Sequence, residues 1–435
     1  MRKFLPLLFI VLFSACSRGD KCILPSLKPE QSNIEFPNTG GSQKIEFTSN
    51  IDAQVITSAD WLEAKLSRKD NNYTIEISAE ANESPTPRTG IIQIVSDAAP
   101  IQIAVQQDRI TETVGLYILS EGSMGQNNSE LSYFDLKNNE LYPKFYSEKN
   151  KQSLGDTAND MELYGTKLYI AVTGPNEDAG GYIDVVNKTD GKSIKRIFIH
   201  KEDGTADMPR RIITNRGYVY ISSFGGQISR LDTVSLTIDK QAILKGGDKL
   251  NTEGLTILNG SIYACNSGFG QMNTIAVVDM ASMTEKKQIE VAYNPVNIEA
   301  YRGMLYFNTA SLTWNQGPES NLYILNPNTE KIEHTFNCQS NHFAFVGDTL
   351  ITSDIDWDNL KDLISVIDLN TKTIQSIKLK RIRLINRFFI DKINEDIYVS
   401  NTLGQVVNIY GKDFNLKKNI RAKNEGTNKV IPVYN

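Results

Sequence analysis

Gly260-Ser-Ile-Tyr-Ala-Cys-Asn-Ser-Gly-Phe-Gly-Gln-Met-Asn-Thr-Ile-Ala-Val-Val-Asp279 reads as a strand (Ser261–Asn266), a Gly-rich loop, a second strand (Thr274–Val278) and an Asp that opens a turn. The chain rewrites this passage six more times. Gly303-Met-Leu-Tyr-Phe leads to Leu322-Tyr-Ile-Leu-Asn326, and Gly217-Tyr-Val-Tyr-Ile to Ile228-Ser-Arg-Leu-Asp232. Lys167-Leu-Tyr-Ile, Asp348-Thr-Leu-Ile, Gly115-Leu-Tyr-Ile and Asp396-Ile-Tyr-Val begin the others. The anchors Tyr117, Tyr169, Tyr220, Tyr263, Tyr306, Leu350 and Tyr398 are spaced 52, 51, 43, 43, 44 and 48 residues apart. A period of about 40–50 residues with room for four short strands is the signature of propeller blades. The strands are rich in Val, Ile, Leu and Tyr without strict alternation, as sheets covered on both faces require. The expected fold is all-β: a seven-bladed β-propeller over residues 114–435, preceded by a smaller module.

The ends of the propeller carry their own information. Every later unit has a strand before its anchor, such as Met208-Pro-Arg-Arg-Ile-Ile, whereas the first has none. Gly426-Thr-Asn-Lys-Val-Ile-Pro-Val-Tyr-Asn435 joined to Gly115-Leu-Tyr-Ile matches Gly204–Asn215 joined to Gly217-Tyr-Val-Tyr. The C-terminal strand is therefore expected to complete the first blade and close the ring, leaving no open edge.

Ahead of the propeller, short alternating segments within 27–107 read as strands at sandwich-like spacing. They include Ser32–Phe36, Gly40–Phe47, Trp61–Leu66, Tyr73–Ser78, Arg88–Ile94 and Ile101–Gln107. The ordered landmarks Gly40-Gly41, Asp60-Trp61-Leu62, Ala81-Asn82, Arg88-Thr-Gly90 and Val105-Gln-Gln107 resemble a BACON module. That family implies a small immunoglobulin-like β-sandwich beside carbohydrate-active or surface domains; here it reads as a stalk, with Trp61 in its core. The Asx-led turns Asn187-Lys-Thr, Asn326-Pro-Asn-Thr and Asp368-Leu-Asn-Thr resemble YVTN- or YncE-type propellers. Among these, a lipidated propeller of this length is similar to BtuG-type surface lipoproteins. That resemblance implies cobalamin capture above a TonB-dependent outer-membrane transporter.

The N-terminus reads as a processing segment. Arg2-Lys3 precedes an apolar run, Phe4–Phe13, too short to span a bilayer. Phe13-Ser14-Ala15-Cys16 resembles a lipobox, so residues 1–15 are expected to be removed, Cys16 lipidated and 16–26 left as a tether. The expected location is the outer membrane, at the cell surface, held by the lipid alone. Of the other cysteines, Cys22, Cys265 and Cys338, at least one is left unpaired, and no C-x-x-C marks a metal or redox site. Net charge is −5, which argues against nucleic acid, whose phosphates require a basic patch. Lys378–Arg383 mixes cations with apolar residues and reads as an outer strand with a solvated face.

Candidate ligand residues come from two sets of loops that open on one mouth. Phe224, Phe269, Trp314 and Trp357 lie in the loops after the second strands. Two roles are open to them: ligand platforms, or loop-to-sheet packing. Asp160, Arg210, Glu253, Asn297, Asn341, His342 and Arg387 sit at similar distances before their anchors and would ring the channel just inside the rim. Catalytic signals are thin. The three histidines are scattered, no H-E-x-x-H or G-x-S-x-G occurs, and Asp354–Asp358 lacks the Gly and final acid of a calcium loop. The expectation is thus a binding protein without catalytic residues, metal or cofactor. Its first expected ligand is a corrinoid; a glycan for a polysaccharide-uptake system is the alternative, and a propeller lyase or hydrolase is disfavoured.

Overall fold

The computed structural model describes residues 27–29, 31–97, 100–175, 179–310, 320–356, 359, 361–401 and 405–435. The segments 1–15 and 16–26, with Cys16 and Cys22, and the loop residues Trp314 and Trp357 lie outside them. Strands dominate the described chain. They form nine four-stranded sheets, and the α-helix among them is the short Phe145–Asn150. Contacts divide the chain into a smaller compact unit, drawn from residues up to Phe36, Gly41–Ala79 and Arg88–Gln107, and a larger one that includes Asp108–Asn435.

The smaller unit holds two sheets. One is built from Leu27–Pro29, Gly41–Ser49, Asn72–Ala79 and Leu62–Lys69; the other pairs Asn33–Phe36, in parallel, with Ile101–Gln107, followed by Arg88–Ser96 and Ala53–Thr57. Alternate residues point inward, as the period of two dictates. Ile34, Phe36, Ile45, Phe47, Tyr73, Ile75, Ile92, Ile103 and Val105 make the core. Trp61 packs against that core, with the Arg88 guanidinium 4.4 Å from its ring centroid.

In the larger unit, seven sheets follow one another along the chain. The fourth is typical: Thr252–Leu258, Ser261–Asn266, Thr274–Asp279 and Thr284–Glu290, each antiparallel to the next. The first sheet differs. It consists of Glu140–Tyr142, Glu130–Asp135, Thr113–Ser120 and the C-terminal Thr427–Tyr434, with Ile431 opposite Tyr117 and Pro432 opposite Leu116. Each sheet is apolar on both faces because it packs on two neighbours. Tyr169 and Ile183 meet Ile212 and Val219; Tyr220 and Ile228 meet Ile262 and Ala276. The same holds between the seventh and first sheets, where Tyr398, Val407 and Ile409 meet Leu116, Ile118 and Val430. Double-sided burial explains why the sequence shows no strict alternation here.

The repeated Asx residues cap the turns between third and fourth strands. Asp232 Oδ1 accepts the N–H groups of Val234 and Ser235 at 2.9 and 2.7 Å, and Asp368 Oδ1 those of Asn370 and Thr371 at 2.9 and 2.8 Å. Such Asx turns satisfy backbone donors that a tight hairpin would strand.

Several local expectations fail. Lys378–Arg383 is not strand; the outer strand ends at Ile377. Positive φ at Arg381 (62°) and Leu384 (54°) breaks the extended backbone, and the carbonyls of Lys380 and Arg381 accept from Tyr410 Oη and Asn408 Nδ2 instead of a ladder. Asp354 and Asp356 belong to the strand Thr349–Asp356 rather than to a loop. The expectation of an unpaired cysteine holds: Cys265 and Cys338 are both free, and Cys265 is fully buried, with burial raising its thiol.

Candidate functional site

The leading strands of all seven sheets, Ala158–Tyr164, Pro209–Asn215, Thr252–Leu258, Pro295–Tyr301, His342–Val346, Ile385–Ile390 and Thr427–Tyr434, line a single cavity of about 690 Å³. Six of these strands carry a register shift close to their start. A bulge places an extra residue and re-aims the side chains beside it. That local irregularity is why polar residues cluster at this level of otherwise apolar sheets.

The site residues named from sequence fall into two groups. Asn297, His342 and Arg387 line the cavity. Arg210, Glu253, Phe224 and Phe269 form a continuous column. Arg210 Nη2 donates to both oxygens of Glu253 at 2.9 Å, and Nε adds a bond of 3.1 Å. The same guanidinium lies 4.7 Å from the Phe224 ring centroid, and Phe224 stacks on Phe269 with centroids 5.4 Å apart. Phe269 is 62% exposed. It also adopts φ 51°, ψ 42° between two left-handed glycines, Gly268 and Gly270. A bulky side chain in that region costs about 1–3 kcal/mol and persists only where the surroundings enforce it. The loop thus holds an aromatic face toward solvent at a conformational cost.

Elsewhere the named residues have structural ties. Asn297 Nδ2 donates to Asn308 Oδ1 at 3.1 Å and to the Asn341 carbonyl at 2.7 Å. Arg387 Nη1 and Lys429 Nζ each reach Asp160 Oδ1 at 2.9 Å, and Lys429 continues to Glu162 at 2.7 Å. Burial alone would raise the Asp160 carboxyl, but Lys429 and Arg387 outweigh it and hold it below its ordinary range. Burial moves the His342 imidazole down to about 4, so it is neutral at pH 7.

Sequence reasoning passed over Glu299. It lines the cavity and keeps an exposed face there, and desolvation pushes its carboxyl from 4.5 up to about 7. A carboxyl raised in the fold contributes stability below its ordinary value that is lost as pH rises through the raised one. Glu299→Gln should therefore melt higher than the parent at pH 8.5 and match it at pH 4. A shift of equal size at both pH values, read by calorimetry, would contradict the assignment.

Among the described residues no group of three or more His, Cys, Asp or Glu is placed to hold a metal ion. No helix among them is long and apolar enough to cross a membrane.

Comparison with known proteins adds the following. Residues 26–117 match the family model for the viral BACON domain, and residues 114–309 match a domain of unknown function, DUF5074. No curated protein sequence matches the chain. A quinonprotein alcohol dehydrogenase-like protein from Bacteroides thetaiotaomicron is similar in structure, with TM-score 0.53 and 13% identity over 94% of this chain and 97% of that one. Hydrazine synthase from Kuenenia stuttgartiensis is similar at TM-score 0.52 and 12% identity, over 64% of this chain and 95% of that one. The WD40 domain of Neurospora crassa Pan2 aligns at TM-score 0.46 and 12% identity, over 59% of this chain and 75% of that one. At such identities the likeness to the first two speaks to fold alone, and nothing is drawn from the third. By the family models the chain carries a BACON domain followed by a DUF5074 domain, and its fold is all-β, built of four-stranded sheets.

Proposed function

We propose that the seven sheets close into a seven-bladed propeller through the C-terminal strand, and that the rim of its channel captures a small ligand. Support for closure comes from the apolar packing between the seventh and first sheets and from the pairing of Thr427–Tyr434 with Thr113–Ser120. The binding reading rests on one observation: the exposed Phe269 ring, strained in its backbone, stacked on Phe224 and backed by the Arg210–Glu253 pair. Sites for small ligands combine aromatic faces with a few fixed polar groups. A corrinoid suits this set, because its macrocycle offers a flat apolar face and its edge carries amide side chains. Binding without chemistry is the role proposed, with delivery to a TonB-dependent outer-membrane transporter from a lipid anchor at Cys16.

Phe269→Ala tests the assignment with little risk to the fold, since most of the ring is exposed. Loss of one stacking face is worth about 1–2 kcal/mol, or roughly a fivefold to thirtyfold weaker Kd for cyanocobalamin at unchanged melting temperature. An unchanged Kd would remove this column from the site.

A further inference from the structure

We propose that the channel holds a second site, beneath the rim, for a small organic cation, with Glu299 as its counter-ion and Phe343 and Phe345 as its aromatic wall. Asp160 and Glu162, carboxylates that also line this cavity, are engaged by Arg387 and Lys429. Glu299 is different: its backbone pairs with Tyr306 in the ladder, but among the described residues none pairs or hydrogen-bonds with its carboxylate, although it faces the cavity. Its neighbours explain why. Along Pro295–Tyr301, residues 297, 299 and 301 share one face, because side chains alternate in a strand. Asn297 on that face donates to the Asn341 carbonyl, and Tyr301 stacks on Phe345 at 4.1 Å with an interplanar angle of 5°. Glu299 therefore stands between two points at which its strand touches the segment Asn341–Phe345, which supplies Phe343 and Phe345. On the other side, Thr256 Oγ1 is occupied by the Ala300 N–H at 3.0 Å. Among the described residues no cation pairs with Glu299.

An unpaired carboxylate in a desolvated setting is costly, and the cost is relieved by protonation or by a bound cation. The raised Glu299 carboxyl agrees with that setting. Aromatic faces select the kind of cation. A strongly hydrated metal ion gains little beside phenyl rings, whereas an ammonium with a diffuse charge is attracted by the ring quadrupole and loses less hydration. Phe343 and Phe345 are both half-buried, with surface left toward the cavity. The volume of about 690 Å³ accommodates a guest of several heavy atoms.

Choline and its neutral isostere 3,3-dimethylbutan-1-ol, titrated by calorimetry into the full chain, test this proposal at pH 8. The expected result is saturable choline binding, no binding of the alcohol, and at least about tenfold weakening in Glu299→Gln. Phe345→Leu should also weaken choline, while Phe269→Ala at the rim should leave it unchanged, which separates this site from the one proposed above. Equal binding of choline and alcohol, unaltered affinity in Glu299→Gln with a retained melting transition, or no choline binding to the parent would each overturn the proposal.

Discussion

Removal of residues 427–435 is expected to abolish the cooperative folding of the larger unit. The segment is a full strand whose partners run from Thr427 opposite Ser120 to Tyr434 opposite Thr113. It buries Val430, Ile431 and Val433, all at most 6% exposed, in the two apolar clusters that flank the first sheet. Burial of three such side chains is worth roughly 5–9 kcal/mol, and the ladder bonds add about 1 kcal/mol each. Their loss is comparable with the whole net stability of a typical protein, about 5–15 kcal/mol. It would also strip Thr113–Ser120 to a bare apolar edge, which invites aggregation. Calorimetry of the truncated protein should show no cooperative transition for the larger unit. A melting temperature within a few degrees of the parent would refute closure through this strand.

Asp160→Ala should be the most damaging point substitution, at about 3–5 kcal/mol. Asp160 is 3% exposed and receives Arg387, Lys429 and the backbone N–H of Ile212, the last at 2.9 Å. Truncation leaves Lys429 with Glu162 and Arg387 with the Asn159 carbonyl, two largely buried cations short of a counter-charge. Unpaired buried charge, rather than lost attraction, dominates such costs. Adding Lys429→Met should therefore recover part of the loss, which a double-mutant cycle measures. The pH dependence has the opposite sign from that of Glu299. The Asp160 carboxyl is held low, so its contribution is present above the ordinary carboxylate range and disappears as pH falls through the lowered value. Strict additivity of the two substitutions would contradict a coupled network.

Much of this architecture is legible in the repeat. Arg210 and Glu253 lie 43 residues apart and Phe224 and Phe269 lie 45 apart, each close to one repeat length. Residues so spaced occupy equivalent positions on neighbouring sheets, and both pairs do meet. Cys265 and Cys338, 73 apart, share no such relation and stay free. The bulges are less visible, because no residue type marks them, yet they determine which side chains face the channel. Glu299 escapes notice for a related reason. Its importance lies in lacking a partner, and a missing partner becomes apparent only once Thr256 and Phe345 are placed beside it. The Lys378–Arg383 segment misleads because Leu379 is buried and Ile382 half-buried while side chains from Asn408 and Tyr410 satisfy its carbonyls.

Capture of a corrinoid at the channel rim is most directly tested by mixing purified protein with excess cyanocobalamin and separating them by gel filtration. Red absorbance co-eluting at one ligand per chain is the result this account predicts. Cyanocobalamin eluting entirely free of the protein would contradict it, and a glycan array would then be the next probe of the same rim.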